Sequence, residues 1–242
     1  MTARPASDWL TAWEYAHRGL HGPGVPENSL AAAEGAMAAG LGIECDIQMS
    51  ADNVPMVFHD WELARLTGAD GMVASRTADE LEMLTLLGTD QRPVRLAHFL
   101  EVVAGRVPLL IEIKSMPGYD VVRTCKAVSA LLLEYSGDAA VMSFDPRVPI
   151  WFKDCDPQPT LGLVGTDSLE TGFEGLWRKP ETLAAARPDF LAIDVRDIAR
   201  PEATAWRGDG NPLLTWTVRS RETRATGLAL ADALIAEGEG LA

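Results

Sequence analysis

Short apolar runs recur along the chain, and most are separated by stretches with helical spacing. The runs cover residues 14–17, 42–48, 54–59, 108–114, 140–144, 160–164, 190–195, 213–218 and 233–236. Each is short, rich in branched and aromatic residues, and bounded by turn formers, which predicts strands. Between them, residues 29–40 open on Asn28 or Ser29 as a cap and close on glycine. Residues 121–135 set Val121, Cys125, Val128, Leu132 and Tyr135 on one stripe, an amphipathic helix. Shorter helical patterns fall at 181–186 and 222–230. Strand and helix alternating over a whole chain predict a parallel sheet, open or closed.

One junction breaks the alternation. Only Met49–Ser50–Ala51–Asp52–Asn53 separates the second run from the third, too little chain for a parallel crossover. The 54–59 run must return antiparallel, as a hairpin arm. Setting it aside leaves the strand number of a closed (β/α)8 TIM barrel, with an inserted hairpin and helical segment after strand 2. The insertion, about 50–106, holds a capping-box pattern at 77–80 that predicts a helix over 77–87, and a second helix at 96–104. It is expected to lie over the barrel mouth within a single domain spanning 1–242. A short helix at 7–13 is expected near the barrel bottom, and no eighth outer helix follows the last strand.

Composition narrows the partners. With 35 acidic against 21 basic residues, the net charge of −14 repels phosphate backbones, so nucleic-acid binding is disfavoured. An anionic substrate would need local cations or a metal. Cys45, Cys125 and Cys155 form no CxxC pair and predict free thiols in a reducing compartment. Cys45 should point away from its neighbours Glu44 and Asp46, as packing. No signal-peptide pattern and no long uninterrupted apolar window occur, so a cytoplasmic protein without stable membrane insertion is expected. Oligomeric state is not written in these residues.

The strand ends carry the chemistry. Glu44 and Asp46, two apart, project to one side of a strand, and Glu112 adds a carboxylate from another. Such charges inside a barrel mouth are costly without a cation between them. With no cysteine or histidine cluster alongside, the set suits a hard divalent ion, Mg²⁺ or Ca²⁺, rather than zinc. The plainer alternative is surface charge at strand ends.

Lys114 shares the face of Glu112 and could neutralise it, hold a phosphate, or act as a Schiff-base amine. The nearby carboxylate keeps it protonated and disfavours the last role. His17, followed by Arg18 and Gly19, ends the first strand, and His59, followed by Asp60, ends the hairpin arm. Two imidazoles at one mouth suit a general acid and base near neutral pH. His21 and His98 lack that context and are expected on the surface or in packing. Asn28 is expected to cap a helix rather than touch substrate. Phe144 and Trp216 either wall an organic group at the mouth or belong to the barrel core.

These segments form an ordered set: HRG at 17–19, PENS at 26–29, ECDIQ at 44–48 and DNVPMVFHD at 52–60. After them come L-x-R-x-TG at 63–68, EIK at 112–114, SF at 143–144 and TWTV at 215–218. In order and spacing the set closely resembles the glycerophosphodiester phosphodiesterase family, from about residue 15 to about 237 and most densely before Lys114. The resemblance implies a (β/α)8 barrel and a divalent metal, Mg²⁺ or Ca²⁺, held by Glu44, Asp46 and Glu112. It implies His17 and His59 as the acid–base pair, and Arg18 and Lys114 as phosphate contacts. Phe144 and Trp216 match positions lining the glycerol side. The implied substrate is a small-molecule glycerophosphodiester, hydrolysed to an alcohol and sn-glycerol 3-phosphate. The chain departs from the pattern after its last strand, where Glu237 stands in place of an aspartate, and matches weakly at 165–178, which would face the variable alcohol. Two rival expectations are a lysophospholipase D-like enzyme, with Met72, Leu81, Leu84 and Leu86 forming an acyl groove, and a non-catalytic phosphate-ester-binding barrel.

Overall fold

The computed structural model describes residues 8–169 and 171–241. Its elements in chain order are β1 (Tyr15–Ala16), α1 (Leu30–Ala38), β2 (Gly42–Met49), β3 (Pro55–Val57), α2 (Ala64–Thr67), α3 (Ala78–Glu82), β4 (Val94–Arg95) and α4 (Leu96–Val103). There follow β5 (Leu109–Ile113), α5 (Val121–Leu133), β6 (Ala139–Ser143), α6 (Arg147–Phe152), β7 (Thr160–Gly165), α7 (Pro180–Ala186), β8 (Phe190–Asp194), α8 (Pro201–Gly208), β9 (Leu213–Val218), α9 (Arg221–Leu230) and β10 (Ala233–Ala236).

β1, β2 and β5 to β10 are eight parallel strands, each hydrogen-bonded to the next, and β1 pairs with both β2 and β10 to close a barrel. The (β/α)8 expectation holds, and so does the hairpin arm. β3 runs antiparallel to β2, with Ile47 opposite Val57, and β4 runs antiparallel to β3. β4 had no counterpart in the sequence pattern, because a two-residue strand is too short to show periodicity.

Strand alternation sorts the side chains into two layers. Ile43, Cys45 and Ile47 face outward into the helix layer with Ala33, Leu109, Ile111 and Val128. Cys45 is therefore packing, as its flanks predict. The inward residues Tyr15, Leu110, Ala140, Phe190, Leu214 and Ile235 fill the barrel. Leu10, from a 3-10 turn at Asp8–Thr11, joins them and closes the bottom, and its carbonyl accepts from the Tyr15 hydroxyl at 2.9 Å. The predicted N-terminal helix is thus this turn alone; Ser7 lies outside the described residues.

The insertion has its own small core of Met56, Phe58, Leu63, Val73, Ala78, Leu81 and Leu86. Thr77 and Glu80 form the predicted capping box, but the helix ends at Glu82 rather than at 87. There the chain turns so that Leu86 N donates to Gln91 O, sending Leu86 inward while Leu87 stays exposed. α6 and α8 were not foreseen; α6 carries Pro149 and is short. After β10 only a 3-10 turn at Gly238–Gly240 follows, with no α-helix among the described residues, and none of their helices is long and apolar enough to cross a membrane.

Candidate active site

Strand register explains why distant residues converge. Asp46 lies opposite Glu112 across the β2–β5 pair, and Glu44 is one inward position earlier on β2. One donor oxygen from each of the three carboxylates falls within a cluster no more than 4.8 Å across, and all three residues are buried. Closure of β1 onto β10 does the same at the other seam. His17 N donates to Ala236 O at 2.9 Å, which sets His17 beside Glu237, 220 residues away in sequence.

A cavity of about 860 Å³ opens at the C-terminal ends of these strands. His17, Arg18, Asp46, His59, Glu112, Lys114, Phe144 and Trp216 all line it, with Glu44 beneath in the carboxylate cluster. The nine candidate site residues therefore gather at or just beneath one mouth, where barrel folds carry their chemistry. Phe144 and Trp216 meet edge to face with ring centroids 5.3 Å apart. They line the cavity and also pack on the barrel core.

Each histidine has a carboxylate behind it. His17 Nδ1 bonds Glu237 Oε2, and His59 Nδ1 lies 2.7 Å from Asp60 Oδ1. In both rings Nδ1 is engaged, leaving Nε2 as the free nitrogen. His17 Nε2 is 3.9 Å from Glu44. Burial pushes the His17 imidazole below its usual pKa, more than the Glu237 bond raises it.

The buried acids and cations balance unevenly. Burial drives Glu44 well above the usual carboxylate range, reinforced by the charges of Asp46 and Glu112. Burial alone would raise Asp46 as well, but His59, Lys114, Arg18 and His17 outweigh it and hold Asp46 far below that range. Lys114 Nζ sits 2.9 Å from Glu112 and 3.5 Å from Asp46. Its burial disfavours charge, yet those two carboxylates keep it firmly protonated, so the Schiff-base role is not supported. The donor set is all oxygen and retains more negative charge than its cations offset. It fits a hard divalent cation.

Three features escaped the sequence reading, and a fourth, Glu237, stood out there only as a replacement for the family's aspartate. Asn28 does not cap α1; Ser29 does, accepting from Ala32 N. Asn28 instead donates to Asp46 Oδ2 at 2.9 Å and accepts from Asp46 N at 3.2 Å. Its φ of 56°, a left-handed value asparagine tolerates, turns the amide inward. Glu27 bonds Arg18 at 2.6 Å and is clamped by Arg65, whose guanidinium also grips Asp60 at 2.5 and 2.8 Å. One ladder of ion pairs therefore runs from Arg18 to His59. Glu237 follows the last strand directly, so the strand-end rule that found His17 and Lys114 was enough to find it. His21 is not idle surface: its Nε2 lies 3.4 Å from Glu237. His98, by contrast, is exposed on α4 beside Glu101, as expected.

Residues 17–235 match the sequence model of the Glycerophosphoryl diester phosphodiesterase family. The YhdW protein of Bacillus subtilis (strain 168) is 26% identical over 219 residues, 87% of each chain. A glycerophosphodiester phosphodiesterase of Caldanaerobacter subterraneus subsp. tengcongensis is 36% identical over 105 residues, 43% of this chain and 39% of that protein. Among solved structures, an Oleispira antarctica phosphodiesterase in complex with the product sn-glycerol-3-phosphate superposes with a TM-score of 0.79. It is 22% identical, covers 93% of this chain and 92% of its own, and supports the fold alone.

Proposed function

Because this chain belongs to the glycerophosphoryl diester phosphodiesterase family, we propose that it hydrolyses glycerophosphodiesters to an alcohol and sn-glycerol 3-phosphate by acid–base catalysis between two histidines. One observation carries this reading: two carboxylate-backed imidazoles and a three-carboxylate cluster share one cavity. A pure binding barrel has no use for paired imidazoles whose free nitrogens are left available.

Glu44, Asp46 and Glu112 would hold the divalent cation, Mg²⁺ or Ca²⁺. Bound there, it would supply positive charge that stabilises the phosphate as negative charge grows in the transition state. Arg18 and Lys114 bind the non-bridging phosphate oxygens. One imidazole takes the proton of the attacking oxygen, from water or the glycerol 2-hydroxyl, at Nε2. The other delivers a proton from Nε2 to the departing alkoxide. Glu237 and Asp60 hold each ring by Nδ1, so the working nitrogen is the same in both. Attack by the neighbouring hydroxyl, favoured by proximity, would give a cyclic phosphate, which water then opens by breaking the bond to the 2-oxygen, leaving sn-glycerol 3-phosphate. Phe144 and Trp216 form the apolar wall for the glycerol carbons.

We take residues 1–242 as one catalytic unit, with about 50–106 as the arm beside the mouth. The three unpaired cysteines suit a reducing cytoplasm. The acyl groove of a lysophospholipase D-like enzyme finds little support, since Leu81 and Leu86 are spent in the insertion's own core. Release of glycerol 3-phosphate from glycerophosphocholine, assayed with Mg²⁺ or Ca²⁺ and with a chelator, tests the proposal. Metal-dependent release is expected. Full activity in chelator removes the cation role, and no release from any glycerophosphodiester tried removes the activity.

A further inference from the structure

Next to the all-oxygen cluster lies a second group of donors with different chemistry. Glu237 Oε2 is approached by two imidazole nitrogens, His17 Nδ1 and, at 3.4 Å, His21 Nε2. One donor atom from each of these three residues lies within 4.8 Å of the others. The remaining Glu237 oxygen, Oε1, is occupied by Arg219 Nε at 2.6 Å, so Oε2 is the atom the imidazoles share. The group comes together because Gly19, at φ 78°, folds the chain back after β1 and His21 N donates to Gly19 O at 2.9 Å. Solvent reaches it, with the His21 side chain 23% exposed and Glu237 20%.

Two imidazoles and one carboxylate oxygen, with solvent at hand to supply water as a fourth ligand, suit a borderline transition metal rather than Mg²⁺ or Ca²⁺. We propose that His17, His21 and Glu237 form an inhibitory site for a divalent transition metal of the Zn²⁺ type, distinct from the three-carboxylate site. The inhibitory half rests on the proposed role of His17; the binding half does not.

The inhibition follows from the imidazole proton count. Binding at His17 Nδ1 takes that nitrogen's lone pair and releases to solvent the proton it shares with Glu237. The neutral ring then carries its one proton on Nε2. Such a ring cannot accept a proton at Nε2, so it fails as a base. Nor can it become an imidazolium, so it fails as an acid. Arg219 beside Glu237 places a cation near the site and weakens metal binding. The site should respond to a rise in free metal rather than hold it permanently.

The test uses the full chain with Mg²⁺ in fixed excess, titrated with Zn²⁺ from about 0.1 to about 100 µM, the range of a three-ligand site weakened by a neighbouring cation. Wild type should lose activity across it. His21→Ala should keep its Mg²⁺-supported activity and need about tenfold or more Zn²⁺ for the same inhibition. His21→Gln replaces it should the alanine variant fold poorly. Visible absorption of bound Co²⁺, recorded without substrate, gives a second readout, expected in wild type and lost in the His21 variants. Identical inhibition curves and Co²⁺ spectra in wild type and variant overturn the site. So does inhibition relieved by Mg²⁺ alone, which assigns Zn²⁺ to the carboxylate cluster. If no glycerophosphodiester is hydrolysed, the proposed function fails while the Co²⁺ spectra still decide the metal site.

Discussion

The two halves of the barrel mouth use the same spacing to opposite ends. On the β2–β5 side, Glu44 and Asp46 are two residues apart within β2, and Glu112 and Lys114 are two apart across the end of β5; Asp46, Glu112 and Lys114 line the cavity, with Glu44 beneath. On the β6–β9 side, Asp145 with Arg147 and Asp194 with Arg196 are also two apart, the first pair lying beyond the end of β6 and the second spanning the end of β8. There the chain turns, and each arginine closes on its own acid. Arg147 N meets Asp145 at 2.9 Å and its Nη2 at 2.6 Å, and Arg196 meets Asp194 at the same two distances. Acids neutralised so locally act as scaffold. On the β2–β5 side three buried carboxylates crowd together, and burial, reinforced by the charges of Asp46 and Glu112, drives Glu44 upward. Charge left unbalanced in a cavity marks chemistry more reliably than charge alone.

The largest effects should fall on the imidazoles. His17→Ala or His59→Ala is expected to lower kcat by roughly 10²–10⁴-fold with the thermal midpoint little changed. Steady-state kinetics with a melting curve checks this, and near-full turnover in either variant removes that residue from the mechanism. The contrast between the halves is sharpened by one pair of variants. Lys114→Met should cost about 10²-fold in turnover by removing charge stabilisation at the phosphate. Arg147→Met should instead leave kcat within about threefold and lower stability by about 1–3 kcal/mol, because the buried Asp145 loses its charged partner and keeps only the Ser115 hydroxyl and a backbone N–H. If Arg147→Met proves the more damaging to kcat, the division of labour between the halves is wrong.

Glu237→Gln keeps the shape beside His17 but removes the acceptor charge, and a smaller loss of roughly 10-fold in kcat is expected, with the pH profile displaced. The profile, rather than the rate alone, separates a positioning role from a structural one. The smallest effect concerns the ion-pair ladder. Burial would raise Asp60, but its bonds to His59 and Arg65 hold it below the usual carboxylate range. The unfolded chain therefore takes up that proton first as pH falls. The stabilisation is whole above about pH 4 and is lost as pH drops toward the folded-state value. Arg65→Met should cost about 1 kcal/mol at pH 7, discounted because the guanidinium is half exposed, and the gap to wild type should narrow below about pH 4. Urea melts at both pH values measure it, and a gap that widens in acid contradicts the assignment.

Much of the architecture was legible because periodicity and spacer length are local quantities. The five residues after Gln48 were enough to turn β3 around, and the strand boundaries agree to within a residue or two for most of the barrel. What stayed hidden was short or off-pattern: β4, α6 with its internal proline, and the early end of α3. At the site, residues that end strands were visible as candidates, whereas those acting through others were not. Asn28 looked like a cap because asparagine beside a helical stretch usually is one. Arg65 sits on a single turn of helix with no apolar stripe to orient it. Glu237 and His21 matter only once β1 pairs with β10.

The order of strands, the turning point after β2, and the types of side chain offered at the mouth were determined by the linear chain, since each follows from its immediate neighbours. Which of those side chains meet was decided by barrel closure. Register set Asp46 across from Glu112, and the β1–β10 seam set Glu237 against His17. Contacts between residues 220 positions apart carry no trace in local pattern; they exist only because the hydrogen-bonded ring of strands has nowhere else to end.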